Sequence, residues 1–303
     1  MIGRKTVHGQ SGRGTRYRLE ERRARFAIHV VLLLVSVLVA LPVVLVVSAS
    51  VSSENAIARF GYSVFPHGLT LDAYRFLFKS GAQILQAYKV SAIVTFVGST
   101  LSLLIMAMVA YPLSRPDFAF RKILSFHVFF TMLFNGGLVP FYILMTQYLH
   151  LQNTLLALIL PYLVVPFYVL LLRTYFAGLP FELIEAAKLD GAGEWRIFVR
   201  IVLPLSTPPL ATVGLFSMLL YWNDWYLALL FITDADKTPL QYLLYNINQN
   251  ILAIGANTQT AGATLPSESG RMAMAVLAIG PVAGAFLFVQ RYFVRGLTLG
   301  GLK

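Results

Sequence analysis

The sequence has no cysteine. Disulfides, thiolate catalysis and cysteine-ligated metals are excluded, while the compartment stays open. Charge is scarce too: Asp, Glu, Lys and Arg make up 12% of 303 residues, against about 25% in an ordinary soluble domain. The phosphate-cradling G-x-x-x-x-G-K-S/T, the zinc-binding H-E-x-x-H and the nucleophile elbow G-x-S-x-G are all missing. His8, His29, His67, His127 and His150 show no metal-ligand spacing. No catalytic residue, cofactor or metal site is expected in this chain. What it has in plenty is apolar surface, with 57% hydrophobic residues and a mean hydropathy of +0.71. Too little polar surface remains to cover a water-soluble fold of this size. The expectation is an all-α integral membrane protein.

Charge-free runs locate the spans. Phe26–Ser53 is 28 residues long, Val90–Ser114 is 25, Ile123–Leu172 is 50, Ile201–Asn223 is 23 and Met272–Gln290 is 19. A bilayer core needs about 20 apolar residues per helix, so the longest run holds two spans. They separate at Tyr148–Asn153, where His150, Gln152 and Asn153 cluster. The reading is six transmembrane helices at 26–50, 84–113, 122–147, 153–176, 205–232 and 270–292. The first is too long for a signal peptide and lacks a small-residue cleavage site.

Six spans put both termini on one side. Eighteen Lys and Arg fall on that side and six on the other. The asymmetry orients both termini to the cytoplasm. The net charge of +11 then reports membrane topology and not nucleic acid. The organisation expected is a basic cytoplasmic tail at 1–25, partly disordered, a six-helix domain at 26–293 and a cytoplasmic tail at 294–303. Outer segments 51–83 and 233–270 are long enough to carry structure or meet a partner. Asn250–Ser269, with Gly255, Gly262 and Pro266, reads as a mobile loop.

The most polar stretch is the cytoplasmic loop 179–205, LPFELIEAAKLDGAGEWRIFVRIVLPL. Pro180 can open a short helix, Glu182 suits its positive end and Gly191 can end it in a left-handed cap. Leu183, Ala186 and Ala187 share a face through i, i+3 and i+4 spacing. Small alanines would let another surface approach, and Glu185 is placed to meet a basic residue there. The plainer reading is an interfacial helix that joins two spans.

Here the sequence resembles the permease subunits of bacterial ATP-binding-cassette importers. Their signature is E-A-A, three residues, G, nine residues, I-x-L-P. It stands as Glu185-Ala186-Ala187, Gly191 and Ile201-Val202-Leu203-Pro204. The wider form P-x-E-L-x-E-A-A-x-x-D-G-A is similar to the carbohydrate-uptake group. FNGGLVPFYILM, YWNDWYLALLFI, TPLQYLL and QRYFVRGLTLGGLK resemble its oligosaccharide and polysaccharide branch, which includes importers of aldouronate and alginate. The resemblance implies the binding-protein-dependent permease fold and a short helix that docks on an ATPase. Glu182, Glu185, Ala186, Ala187, Asp190 and Gly191 would be the coupling residues. The implied partners are a second permease, two ATPases that bind ATP and Mg, an external solute-binding protein, membrane lipid and a saccharide. The binding protein would dock on the outer segments.

Two groups are candidates for the substrate path. Counting from Pro208 at 1.5 Å per residue puts Asp224 about 24 Å into the fifth helix. Tyr221, Trp222, Asn223 and Asp224, followed by Trp225 and Tyr226, offer rings to stack on sugars and polar groups for hydroxyls. Equally, they suit an aromatic belt and helix packing. Asn135, with Gly136, Gly137 and Pro140, marks a break that lines a cavity or permits close packing. Cations for an acidic substrate are few along either group. An ion-coupled carrier would instead use deep titratable groups, here Asp224, Lys89 and His127. A membrane-embedded transferase would cluster Asp, His or Arg at one membrane face, which this sequence does not do.

Overall fold

Glycine and proline mark two of the places where the long apolar runs break. The computed structural model describes residues 11–79, 81–257 and 267–299, almost entirely helical. α1 (Ser11–Ser50) is followed by the short helices α2 (Glu54–Phe60) and α3 (Asp72–Phe78). α4 (Gly81–Ser114) is the central helix. Next come α5 (Arg121–Leu133) and α6 (Leu138–Ile143), which widens into a π turn at Leu144–Tyr148. α7 (Leu156–Ile159) tightens to a 3-10 turn at Leu160–Tyr162 before α8 (Pro166–Ala177) and α9 (Phe181–Leu189). α10 (Glu194–Ile197) runs through a π turn at Phe198–Val202 into α11 (Leu203–Leu205). α12 (Thr207–Trp222), α13 (Tyr226–Phe231), α14 (Leu240–Asn257) and α15 (Glu268–Leu299) complete the order.

Three helices are long and apolar enough to cross a membrane unaided: Arg25–Ser50, Gly81–Ser114 and Glu268–Leu287. Among the described residues, three bent pairs raise the number to as many as six if each pair is one span. Arg121–Leu133 and Leu138–Tyr148 meet at 111°, Leu156–Tyr162 and Pro166–Ala177 at 47°, and Glu194–Leu205 and Thr207–Trp222 at 83°.

Continuous helices over 122–147, 153–176 and 205–232 are therefore corrected. The first breaks at 134–137, where Gly137 takes φ +89°, a conformation open to glycine at little cost. The second breaks before Pro166, whose ring drives Val165 out of the helical region to φ −97°, ψ 111°. The third stops at Trp222 and resumes at Tyr226, so Asn223 and Asp224 lie in a gap and not inside a helix. Pro208 occupies its first turn, where a missing N–H costs nothing. Segment 233–270 carries structure, and the loop expected at Asn250–Ser269 is helical in its first part, where α14 runs through Gly255 to Asn257. Gly262 and Pro266 lie outside the described residues, as do the chain ends 1–10 and 300–303. α1 extends into the basic tail as far as Ser11, and α15 continues past 293 to Leu299.

The expected break at Tyr148–Asn153 is present. His150 and Asn153 adopt φ +51° and +57°, and Asn tolerates that region better than most residues. Asn153 Oδ1 accepts the N–H groups of Thr233 and Asp234 at 3.2 and 3.1 Å, and Lys237 Nζ donates to its carbonyl at 2.9 Å.

Three apolar clusters hold the helices together. The first joins α4, α8, α9, α10 and α12 through Met106, Val169, Leu172, Ile184 and Ile197. The second joins α3, α4, α14 and α15 around Trp222, Leu240 and Ala273. The third packs Val90 and Val94 of α4 on Met145, Leu158, Tyr221 and Phe231. α4 reaches all three. It passes close to α12 at Gly98, where an added Cβ would lie 2.7 Å from the Tyr221 ring. α1 lies against α15, yet every side chain from Phe26 to Val44 is exposed. Such a helix has an apolar surface suited to lipid or another membrane helix.

Candidate functional site

The loop helix α9 forms as its residues dictate. Glu182 sits in the first turn and Lys188 in the last, matching the helix dipole. Gly191 takes φ +77°. Its N–H donates to the Lys188 carbonyl at 3.0 Å, and that of Ala192 to the Ala187 carbonyl at 2.9 Å. This pair of bonds is a Schellman cap. Open space surrounds Gly191, so a larger residue there meets a backbone cost and no steric wall.

Ile184, 2% exposed, is the apolar anchor of α9 and packs with Ile197 and Phe198. Ala187 is half-buried against the same cluster, so it belongs to the inner face and not beside Leu183 and Ala186 on the outer one. Glu182, Leu183, Glu185, Ala186, Leu189 and Asp190 are all exposed, and Leu189 is 89% exposed. Leu189 is thus an apolar side chain held out on an anchored helix whose exposed residues include the carboxylates of Glu182, Glu185 and Asp190.

A charge cluster fastens α9 from below. Lys188 Nζ lies 2.8 Å from Asp117 Oδ2 and 2.8 Å from Glu194 Oε1. Tyr111 OH donates to Glu194 Oε2 at 2.6 Å. Lys188 thereby joins α9 to the end of α4, to the turn that follows it and to α10. The Lys188 ammonium holds the Asp117 carboxyl below the usual carboxylate range. In return the side chains of Asp117 and Glu194 raise Lys188. Arg115 is buried, 4.9 Å above the Phe181 ring and 3.7 Å from Asp117 Oδ1, with no hydrogen bond to Nε or Nη2. Sequence reasoning missed Tyr111, Arg115 and Asp117. The S-R-P-D turn after a long apolar run is their only local signal, and it says nothing about α9.

The substrate candidates separate into two kinds. Tyr221 and Trp222 are packing residues, 4% and 5% exposed. Tyr221 OH donates to the Ile159 carbonyl at 2.8 Å, and Trp222 Nε1 to the Ala278 carbonyl at 3.0 Å. Both polar tips are spent on neighbouring backbone, so the two side chains pack between helices and border neither cleft described below. Asn135, Asn223 and Asp224 line clefts.

A cleft of about 610 Å3 is bordered by Asn135, Gly137, Phe141, Pro161, Tyr162 and Tyr226. A second, of about 410 Å3, is bordered by Tyr162, Tyr168, Phe216, Asn223, Asp224 and Trp225. Tyr162 and Tyr226 form part of both, so the two sequence candidates meet across shared aromatic walls. Tyr162 OH donates to Asp224 Oδ1 at 3.0 Å, and Asn135 Oδ1 accepts the Gly137 N–H at 2.8 Å. Asn223 Nδ2 turns back to the Leu219 carbonyl at 2.9 Å. Tyr162 and Tyr168 escaped the sequence reading. They flank the P-Y-L-V-V-P break, whose two prolines were the available signal. Among the described residues no group of His, Asp and Glu is arranged to hold a metal ion.

Helices bent around an interior cleft, with an anchored loop helix presented outward, define a membrane transport component. Residues 87–299 match the family described as binding-protein-dependent transport system inner membrane component. The chain belongs to that family, as its loop signature implied. Protein LplC of Bacillus subtilis (strain 168) is 37% identical over 264 residues, 87% of this chain and 89% of that protein. The polygalacturonan/rhamnogalacturonan transport system permease protein YtcP of the same organism is 34% identical, covering 94% of this chain and 100% of its own length. The arabinooligosaccharides transport system permease protein AraQ of Halalkalibacterium halodurans is 34% identical, covering 86% and 90%. Among solved structures, a chain of a bacterial ABC transporter involved in the import of the acidic polysaccharide alginate superposes with a TM-score of 0.74. It is 26% identical and covers 95% of this chain and all of that one.

Proposed function

We propose that this chain is one of two permease subunits of an ATP-driven saccharide importer. A solute-binding protein delivers an oligo- or polysaccharide, acidic ones included, to the outer segments. The sugar passes through the clefts that share Tyr162 and Tyr226, next to Asn135, Asn223 and Asp224. Glu182, Glu185, Ala186, Asp190 and Gly191 couple α9 to an ATPase, which holds ATP and Mg. Ala187 serves the same helix from its inner face. Both termini are cytoplasmic in this reading.

The observation that carries the proposal is the construction of α9: an exposed acidic and apolar face on a helix bolted to α4 and α10. A mere connector needs no such fastening. Relatives named for polygalacturonan and arabinooligosaccharides, and the alginate importer, support saccharide as the cargo class.

Two measurements test this. Detergent purification from the native host is expected to recover an ATPase and a second, homologous permease with this chain. In reconstituted vesicles, Glu185→Lys is expected to abolish ATP-driven saccharide uptake, since truncating a charge pair at a partly buried interface costs about 2–5 kcal/mol. Gly191→Leu is expected to weaken uptake less, through a cap cost of about 1 kcal/mol. A transport-competent assembly lacking any ATPase refutes the proposal, as does coupled uptake at the parent rate in both variants.

A further inference from the structure

A third cleft, of about 340 Å3, opens between α14 and α15. Trp225, Gln241, Tyr245, Asn248 and Arg271 border it, and the small side chain of Ala275 leaves the space. We propose that this cleft is a second saccharide subsite, joined to the Asp224 cleft through Trp225, so that the chain handles an oligosaccharide spanning both. The inference rests on the saccharide-importer reading and extends it to substrate length.

Continuity is the first argument. Trp225 is a wall of both the 410 and the 340 Å3 clefts and is 38% exposed. Its ring stacks on Tyr245 at 4.5 Å and 17°, and Tyr245 lies parallel to Tyr242 at 6.5 Å and 18°. The two tyrosines stand three apart on α14, hence on one face. Rings that served packing alone would be buried, as Tyr221 and Trp222 are. Trp225, Tyr242 and Tyr245 instead remain partly exposed.

Chemistry is the second. Flat rings offer a face to the C–H side of a sugar, while its hydroxyls need donors and acceptors at the edge. Gln241 and Asn248 carry amides that supply both, and Arg271 supplies donors. Glu268 steadies Arg271 at 3.0 Å and itself accepts the Tyr62 hydroxyl at 2.7 Å. Because Glu268 offsets the guanidinium charge, the subsite reads hydroxyls and ring faces, and neutral and acidic sugars can share it. The Trp222 bond to the Ala278 carbonyl fixes α12 against α15 beneath the cleft.

The test uses the complete importer in vesicles with its binding protein. Arabino-oligosaccharides and oligogalacturonides are supplied, each as monomer, dimer and tetramer. The binding protein is common to all variants, so a changed length preference belongs to the permease. The parent is expected to favour tetramer over monomer in half-saturating concentration in at least one series. Tyr245→Ala is expected to shrink that preference about tenfold, equivalent to about 1.4 kcal/mol, and Tyr245→Phe, which keeps the ring, to restore it. Gln241→Ala, which leaves the rings in place, is expected to reduce it about threefold. A parent preference that Tyr245→Ala and Gln241→Ala both leave intact overturns the subsite, and so does a parent that treats monomer and tetramer alike. A parent that takes up neither series overturns the saccharide reading and the subsite with it.

Discussion

Replacing Lys188 with methionine keeps the side chain's apolar stem and deletes its charge. Two 2.8 Å ion pairs are lost, to Asp117 and to Glu194. The side chains of Lys188, Asp117 and Glu194 are 37%, 49% and 57% exposed, so water screens both pairs. Such a pair contributes about 0.2–1 kcal/mol, and the two together about 0.5–2 kcal/mol. Ile184, by contrast, is 2% exposed, and truncating a buried isoleucine to alanine costs about 2–5 kcal/mol. Lys188→Met therefore loosens α9 without detaching it. A 0.5–2 kcal/mol change corresponds to a factor of about 2–30 in an equilibrium. In vesicles the variant is expected to hydrolyse more ATP per sugar imported, and amides in 181–192 are expected to exchange faster. Lys188→Arg should recover most of both. Asp117 is depressed, so its share is in place above about pH 4 and fades as pH falls through its lowered pKa. Lys188 is raised, so its share is in place below about pH 10 and is lost as pH climbs past its raised pKa. The clamp is thus intact across the physiological range, and acid below the lowered pKa of Asp117 should weaken it as the variant does. If Lys188→Met keeps both the parent's coupling ratio and its exchange protection, α9 is positioned by apolar packing alone and the clamp reasoning fails.

Other substitutions probe other parts of the molecule. Gly98→Val forces a side chain against the Tyr221 ring, 2.7 Å from an ideal Cβ; overpacking of this kind costs about 1–3 kcal/mol, seen as a lower melting temperature in detergent, and an unchanged melting temperature would show that the α4–α12 contact relaxes freely. Glu54 accepts from the N–H groups of Glu268 and Ser269 and the hydroxyls of Ser267 and Ser269 at 2.8–3.1 Å. Burial pushes its carboxyl up, but these donors outweigh burial and leave it lowered. Its stabilisation is therefore present at neutral pH and lost as pH falls through the lowered value. Glu54→Gln should cost about 1–2 kcal/mol at pH 7 and less once pH has fallen through the lowered value, and an equal loss on both sides of it would contradict the assignment. Asp224→Ala should cut uptake at least tenfold with assembly intact, and Tyr162→Phe less; parent rates in both would return Asp224 to a packing role.

Much of this architecture is legible in the sequence because the bilayer imposes a length on every span. Charge-free runs located the three long apolar helices and the three bent pairs, and the Gly191 cap followed from glycine's freedom at positive φ. What could not be read was where a helix gives way inside an apolar run. Val165 is extended because Pro166 follows it, yet Pro281 sits within α15 without ending it. A proline's local chemistry is the same in both places, and the tertiary surroundings decide which helix gives way. The α9 clamp was equally hidden. Lys188 and Asp117 are 71 positions apart, and no local pattern pairs them.

The three gaps near the clefts illustrate why such a chain carries function where its helices fail. Backbone freed from a helix at membrane depth must find protein or water, because lipid offers no hydrogen bonds. Residues 134–137, 163–165 and 223–225 are three breaks between helices, and the first and third border neighbouring clefts. Asn135 and Gly137 border the larger, Tyr162 lies just before the second gap and borders both, and Asn223 to Trp225 border the smaller. Were these breaks only kinks that ease packing, their side chains would be buried like Tyr221 and Trp222. Asn135, Asn223, Trp225 and Tyr226 are instead exposed, and the half-buried Asp224 is paired to a tyrosine on the opposite wall. Two of the three breaks border the clefts that share Tyr162 and Tyr226, and the third begins beside Tyr162, which is the arrangement the proposed sugar path needs.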